Sequence, residues 1–427
     1  MNQEDYLLEN YDISPNYGFL TDPTISRVLP NEFEMFENII NSISKLDYVN
    51  FRNLVNGLKK YKYDKDYYKN LVNTLTSNQK KDIYTIFTFI VQKYVKNHNK
   101  SISQCQTIPY EIGIIWFECA KEFNLPNVTT YSAVVLNNIN NINININNDI
   151  NNSKLFNIND IDSIIPRFSL TNTDCEKYFY AIHIMIEANG KNIIRKMYFI
   201  NDQITSFNNF LSFLLEMSET IKNFTEIMRL LHSKCDPNIF WYIVRVYLGG
   251  YSKNDGFPDG LQIENTDIKL NFDGGSAAQS TLIQAIDIVF NIQHDPKHGK
   301  DFLESQRKYM PIKHQNYLHS LEQIHENNLL QQSVNYYNNE QITNAYNDVI
   351  KQLTKFRQTH YGIVHKYIIK FNTNLDKGLG GLPFEHLKTF ISDTNNTQIN
   401  AKSKKFTNDI IIMFFTVIIL LLCIWRN

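Results

Sequence analysis

Apolar residues recur at alternating steps of three and four along Ile342, Tyr346, Val349, Leu353, Phe356, Ile363 and Tyr367. That spacing predicts one long amphipathic helix with a single face packed into a core. His360 fills the remaining place on the face. Shorter stretches of helical periodicity cover 32–46, 81–94 and 111–123. Thr173 and Glu176 have the spacing of a capping box ahead of the apolar stretch 178–187. Asp236 followed by Pro237 predicts a helix that runs to Leu248 and stops at Gly249-Gly250. Ser276 and Gln279 form a second box, which opens a helix to about Ile292.

Two segments break this pattern. Residues 137–152 alternate asparagine with isoleucine and contain almost nothing else, so the low-complexity composition reads as a mobile surface insertion rather than a strand. Residues 410–425 form an apolar run interrupted only by Thr416, with Lys402, Lys404 and Lys405 before it and Arg426 after it. As a helix the run rises about 24 Å. Adding 406–409 and snorkelling bases makes a membrane span feasible. A terminal helix packed on the domain is the alternative. The expected architecture is mainly α: a small mixed N-terminal domain over 1–123, a large helical domain over 124–387, a polar linker over 388–405 and a C-terminal transmembrane tail anchor over 406–427. The lysines place the large domain on the cytosolic side.

Composition narrows the function classes. A net charge of −1 over 427 residues, with no basic stripe, gives no electrostatic case for nucleic acid. Cys105, Cys119, Cys175, Cys235 and Cys423 are widely spaced with no zinc pattern, which suggests a reduced main body. The N-terminal twenty residues are acidic and polar, unlike a signal peptide.

The candidate chemistry lies in polar groups on apolar faces. His360 must find a partner, either a backbone carbonyl in the core or a metal or haem iron inside a bundle. Arg245 stands in the otherwise apolar run 239–248 and cannot shed its charge, so it needs an internal acid or the carboxylate of a ligand. Asp287, inside 281–290, is the natural partner of Arg357, one turn before His360. His183 lies among the apolar residues of 178–186 and faces the same choice as His360. Asp273-Gly274-Gly275-Ser276-Ala277-Ala278-Gln279-Ser280 places small residues at a helix start, where backbone approaches a bound group closely. Gly378-Leu379-Gly380-Gly381 reads as a loop or a mobile lid.

Several ordered blocks resemble the indoleamine 2,3-dioxygenases. They are 244–250 (Val-Arg-Val-Tyr-Leu-Gly-Gly), Asp259-Gly260-Leu261, 274–280 (Gly-Gly-Ser-Ala-Ala-Gln-Ser), Arg307-Lys308-Tyr309-Met310-Pro311 and Arg357-Gln358-Thr359-His360. Weaker similarity reaches back through Leu125-Pro126 and Tyr131 to Tyr17-Gly18-Phe19, so the likeness covers roughly 11–387. It implies a small domain on a large helical domain that encloses haem b. His360 matches the proximal iron ligand, and Arg357 and Asp287 match the pair beside a haem propionate. Gly275, Ser276 and Ala277 match the segment along the haem edge. Arg245 matches the arginine that holds the substrate carboxylate, while Phe240, Phe179 and Tyr131 match walls of that pocket. Gly380 and its neighbours match a loop that closes on substrate.

This chain departs from the family pattern at two positions. His183 replaces a small or hydroxyl-bearing residue, as in the related tryptophan 2,3-dioxygenases, where a histidine contacts the indole N–H. Leu379 replaces a hydroxyl residue in the closing loop. The resemblance implies a monomeric catalytic domain that opens the indole ring of L-tryptophan or a related indoleamine with O₂, giving N-formylkynurenine. No side-chain base is expected. One rival is a non-catalytic haem or oxygen-binding module with His183 on the iron, and another is a membrane-tethered interaction protein without haem. A short tail with bases on both sides suits the mitochondrial outer membrane or the endoplasmic reticulum.

Overall fold

A computed structural model describes residues 3–25, 28–60, 66–99, 103–142, 158–373 and 375–399. The expected membrane tail, 406–427, lies outside them, as does most of the Asn-rich stretch. Among the described residues no helix is long and apolar enough to cross a membrane.

The chain is mainly helical, as the periodicities predict. In the N-terminal part, α1 (Ser77–Val95) starts at a full capping box between Thr76 and Gln79 and packs against α2 (Tyr110–Phe123). The strand β1 (Thr107–Ile108) joins this part to the rest of the fold. It pairs in parallel with β4 (Leu261–Ile263), which pairs antiparallel with β5 (Lys269–Leu270). One apolar core runs from Leu8 to Tyr367, so the two predicted parts share it.

Three long helices frame the larger part: α3 (Asp174–Tyr198), α4 (Phe207–Arg229) and α7 (Glu340–Tyr367). Asn339 caps α7 by accepting from the amides of Gln341 and Ile342. The predicted stripe of α7 is buried at Ile342, Tyr346, Val349, Leu353, Phe356, Ile363 and Tyr367. It lies mainly against α4, and α4 against α3. Shorter helices α5 (Thr281–Val289) and α6 (Ile312–Ile324) pack on one another.

The structure corrects several expectations. The Asn-rich stretch begins as a strand, β2 (Ile139–Ile142), antiparallel to β3 (Ile164–Pro166). Buried Asn138 fixes that start by exchanging hydrogen bonds with both the amide and the carbonyl of Phe168. The polar segment after Lys388 opens not as a linker but within a helix, α8 (His386–Asn396), which packs on α7 through buried Phe390 and Thr394. The second capping box is split. Ser276 caps only a 3-10 turn, Ser280 caps α5, and the Gln279 side chain bonds elsewhere. In the first box Thr173 caps α3, but Glu176 turns to the amides of Leu170 and Thr171. Cys175 and Cys235 are disulfide-bonded, whereas the spacing suggested free thiols. They lie 60 residues apart in sequence, and only the packing of α3 beside the turn at 231–234 brings them together.

The glycine pairs mark a close backbone crossing. A Cβ on Gly274 would lie 2.3 Å from the Leu248 carbonyl oxygen and 2.9 Å from the Gly250 nitrogen. Gly274→Ala should therefore cost about 1–3 kcal/mol, the usual range for overpacking. A denaturant midpoint equal to that of the wild type would show that the crossing tolerates a methyl group.

Candidate active site

Five segments enclose a cavity of about 290 Å³ in the larger part. From α3 come Phe179 and His183, from the helix after Pro237 come Phe240 and Arg245, and α7 supplies Arg357 and His360. The small-residue segment adds Gly275, Ser276 and Ala277, and the glycine loop adds Leu379 and Gly380. Tyr131 and Asp287 also border the space. Every site residue singled out in the sequence thus reaches one cavity.

The helix after Pro237 is irregular where a regular one was predicted. Asp236 caps it, and a wide π turn over 240–244 follows, in which the Arg245 amide donates to the Phe240 carbonyl. Residues five apart sit on different faces of a regular α-helix. The wide turn brings Phe240 and Arg245 to the same side, toward the cavity. π turns of this kind recur at functional sites.

His360 borders the cavity and makes no hydrogen bond among the described residues, which removes the reading as a core histidine held by a carbonyl. Burial, then the nearby charges of His183 and Arg357, push its pKa down to about 4. The ring is neutral near pH 7, the form that ligates a metal. His183 contacts the Phe179 carbonyl through Nδ1 at 2.7 Å. A carbonyl only accepts, so Nδ1 carries the proton and Nε2 keeps its lone pair. Burial lowers the His183 pKa as well. Aromatic rings flank it, with Phe179 at 4.7 Å and Tyr131 at 6.0 Å between ring centroids. Phe240 continues this wall, 5.2 Å from Phe179 and 5.8 Å from Tyr367.

The internal acid that the sequence allowed for Arg245 is absent among the described residues. Its Nε has no hydrogen-bond partner, and its guanidinium carbon lies 4.8 Å from the Trp241 ring centre. Burial pushes its pKa down to about 10, partly offset by Asp255, so it stays charged near neutrality. A half-buried cation beside a cavity, with no acid partner among the described residues, is a site for an anion.

Arg357 and Asp287 pair as expected, with Arg357 Nη2 2.6 Å from each carboxylate oxygen. Arg357 also donates to Thr394 on α8. His294, which carried no signal in the sequence, contacts the other side of Asp287 at 3.1 Å. Burial pushes the Asp287 pKa up, but Arg357 and His294 outweigh it and hold the carboxyl below its ordinary range.

Glu187, one turn beyond His183, was also missed. Its Oε1 accepts from the Tyr131 hydroxyl at 2.9 Å and from Ser280 at 2.7 Å, and its Oε2 has no partner among the described residues. An acid four residues from a histidine on an apolar stripe was the available signal. Burial pushes its pKa up to about 7 from 4.5, against the two hydrogen bonds. A raised folded-state pKa means stability that is complete below about pH 4.5 and lost as pH rises through about 7. Glu187→Gln should flatten that decline, by up to about 3 kcal/mol. Chemical denaturation from pH 5 to 8 checks it, and parallel curves for the two proteins would refute the assignment.

A mainly apolar cavity with a neutral imidazole and a half-buried arginine, both without a hydrogen-bonded partner among the described residues, can bind an amphipathic acid beside a metal-bearing cofactor. Residues 7–403 match the family model described as indoleamine 2,3-dioxygenase. The chain is 28% identical over 298 residues to indoleamine 2,3-dioxygenase 1 of Rattus norvegicus, covering 69% of each chain. It is 26% identical over 380 residues to indoleamine 2,3-dioxygenase of Saccharomyces cerevisiae, covering 85% of this chain and 80% of the relative. Against indoleamine 2,3-dioxygenase 2 of Homo sapiens the identity is 25% over 365 residues, 85% and 84% of the two chains. Fold, site and similarity together define an enzyme of the dioxygenase class. The chain belongs to the indoleamine 2,3-dioxygenase family.

Proposed function

We propose that the protein opens the indole ring of L-tryptophan with O₂, using haem b held by His360, to give N-formylkynurenine. The observation that carries this reading is the Arg245 guanidinium in the same cavity as the neutral His360, neither with a hydrogen-bonded partner among the described residues. Among the described residues no group of three or more His, Cys, Asp or Glu converges on a metal position. A single histidine suits a metal whose other ligands belong to a macrocycle.

When bound, the haem supplies the oxygen chemistry. The chain supplies binding, orientation and exclusion of water. Arg245 grips the substrate carboxylate with parallel N–H donors. Phe179, Phe240 and Tyr131 sandwich the indole in an apolar wall. The Nε2 lone pair of His183 accepts the indole N–H, a contact the Phe179 carbonyl prepares by fixing the tautomer. Arg357, neutralised in part by Asp287, would hold a haem propionate, and the 275–277 backbone, which also lines the cavity, would leave room for the macrocycle. The side chain of Leu379 borders the cavity while its carbonyl binds the Gly274 amide, so the loop is anchored through backbone rather than a hydroxyl. The tail, 406–427, is proposed as a membrane anchor on its apolar run alone.

The test is turnover by the haem-loaded, reduced protein with isotopically labelled O₂ and L-tryptophan. Product carrying both labelled atoms supports the reading, and haem-loaded protein without product overturns it. The same free Nε2 on His183 favours one second reading, an oxygen-binding module in which His183 is a sixth iron ligand. For the enzyme, His183→Ala should leave the ferric haem spectrum high-spin, as in the wild type, and weaken discrimination against N1-methylated tryptophan about ten-fold, one hydrogen bond's worth. A low-spin wild type that becomes high-spin in the variant would favour the module.

A further inference from the structure

Closing loops are held by whatever they touch when closed, and here the contact is a chain of two buried amides. Gln306 Nε2 donates to the Gly380 carbonyl at 3.2 Å, and Gln306 Oε1 accepts from Gln279 Nε2 at 3.2 Å. Gln279 Nε2 also reaches the Gly274 carbonyl at 3.2 Å, and its Oε1 accepts from the Tyr131 amide at 3.0 Å. Both glutamines are only 2% exposed. The two ends of the chain are backbone groups with fixed roles, since the Gly380 carbonyl only accepts and the Tyr131 amide only donates. Rotating either side-chain amide by half a turn would set oxygen against oxygen or N–H against N–H. One orientation of the whole chain is therefore imposed as long as the loop is closed.

The loop fits this contact closely. Leu379 accepts from the Gly274 amide at 3.0 Å, and a Cβ on Gly380 would lie 2.7 Å from Ser276 Cβ. Gly380 is thus a glycine because the loop lies directly on the small-residue segment. If the loop lifts, Gln306 Nε2 loses its protein acceptor and exchanges it for water, a net loss of about one hydrogen bond. Gln279 then keeps only the Gly274 carbonyl, on a residue that has itself lost its Leu379 contact, so the hold on the Tyr131 amide loosens. Tyr131 is held at its other end by Glu187 through its hydroxyl.

We infer that Gln306 and Gln279 latch the glycine loop to the Tyr131 wall, so that loop closure and the shape of the distal pocket are one event. Both are positioning residues that touch neither substrate nor cofactor in this scheme. The inference rests on the proposed dioxygenase reading for its purpose, but its geometry stands apart from the reaction. Coupling of this kind lets a ligand that fits the Tyr131 wall favour the closed loop.

The experiment compares the full-length wild type with Gln306→Met, which keeps length but loses both polar atoms, and with Gln306→Glu. Amide hydrogen exchange is followed over 375–384, with and without added L-tryptophan, and the kinetics are measured beside it. In Gln306→Met, the Gly381 and Phe384 amides, bonded to Gly378 and Asp376, should exchange about ten-fold faster, the loss of one net hydrogen bond. Added tryptophan should slow the exchange less than in the wild type, and KM should rise with kcat nearly kept. Gln306→Glu should match the wild type when protonated, because the acid then donates to Gly380 and accepts from Gln279. Once ionised, it should match Gln306→Met. A pH-dependent switch in loop protection, measured relative to the intrinsic exchange rate at each pH and absent from Gln306→Met, cannot come from a side chain that merely fills space. Unchanged loop exchange in folded Gln306→Met, or loop protection in Gln306→Glu that does not change with pH relative to the wild type, would overturn the latch. A wild type that never turns over tryptophan would instead remove the dioxygenase reading, and loop exchange would still decide on the latch.

Discussion

Replacing His360 with alanine is expected to abolish haem retention and turnover while leaving the fold in place. The ring contributes no hydrogen bond among the described residues and is neutral, so its removal breaks no network and unpairs no charge. The neighbours on its face of α7, Phe356 and Ile363, stay buried against the core. The fold should therefore lose little, whereas the iron loses its only protein ligand in the proposed site. Haem content after gel filtration and the far-ultraviolet spectrum measure the two effects separately. Imidazole added to His360→Gly should restore part of the haem binding by filling the vacated space. Variant protein that keeps full haem and activity would assign the ligand elsewhere.

The second large effect is expected at Arg245. Its guanidinium is charged, faces the cavity and lacks an acid partner among the described residues. Hydrogen bonds to charged groups contribute about 1.5–3 kcal/mol each, and a carboxylate takes two in parallel. Arg245→Ala should then raise KM for L-tryptophan about 10²–10³-fold, with a much smaller change in kcat. Arg245→Lys should recover only part of this, because an ammonium does not match the planar fork. Tryptamine, which lacks the carboxylate, should be nearly indifferent to either substitution. Unchanged tryptophan kinetics in Arg245→Ala would end the clamp assignment. The variant should fold at least as well as the wild type, since a buried cation without a partner disfavours the folded state.

Much of this site is legible in the sequence because its main members break local rules. His360 interrupts an apolar stripe, Arg245 stands in an apolar run, and Asp287 repeats the anomaly with the opposite sign. Each is visible within one turn of helix. The pairing of Asp287 with Arg357 follows from charge alone and is what the structure shows. His294 carries no such signal. It follows α5 in the loop after Phe290, where a histidine is ordinary, and only the fold sets it against Asp287. Gln306 is an unremarkable polar residue on a short helix (Asp301–Arg307) until the glycine loop lands on it. The capping spacing around Ser276 was legible yet misassigned. Gln279 has the right separation to close the box, but the Tyr131 amide and the Gly274 carbonyl compete for its side chain and win.

By itself the sequence determined the helical class, the span and inward face of α7, the caps at Thr173 and Asp236, and which charged groups had to be explained. These are consequences of spacing over a few residues, because a helix has a fixed period and a buried charge has a fixed need. Only the tertiary structure decided that Cys175 meets Cys235, that Glu187 supports Tyr131, that a π turn aims Arg245 into the cavity, and that two glutamines join the glycine loop to the distal wall. Each of those depends on groups far apart in the chain or on a local distortion imposed by packing. Periodicity carries no information about which distant surfaces will meet, and hydrogen-bond partners are chosen only after they have.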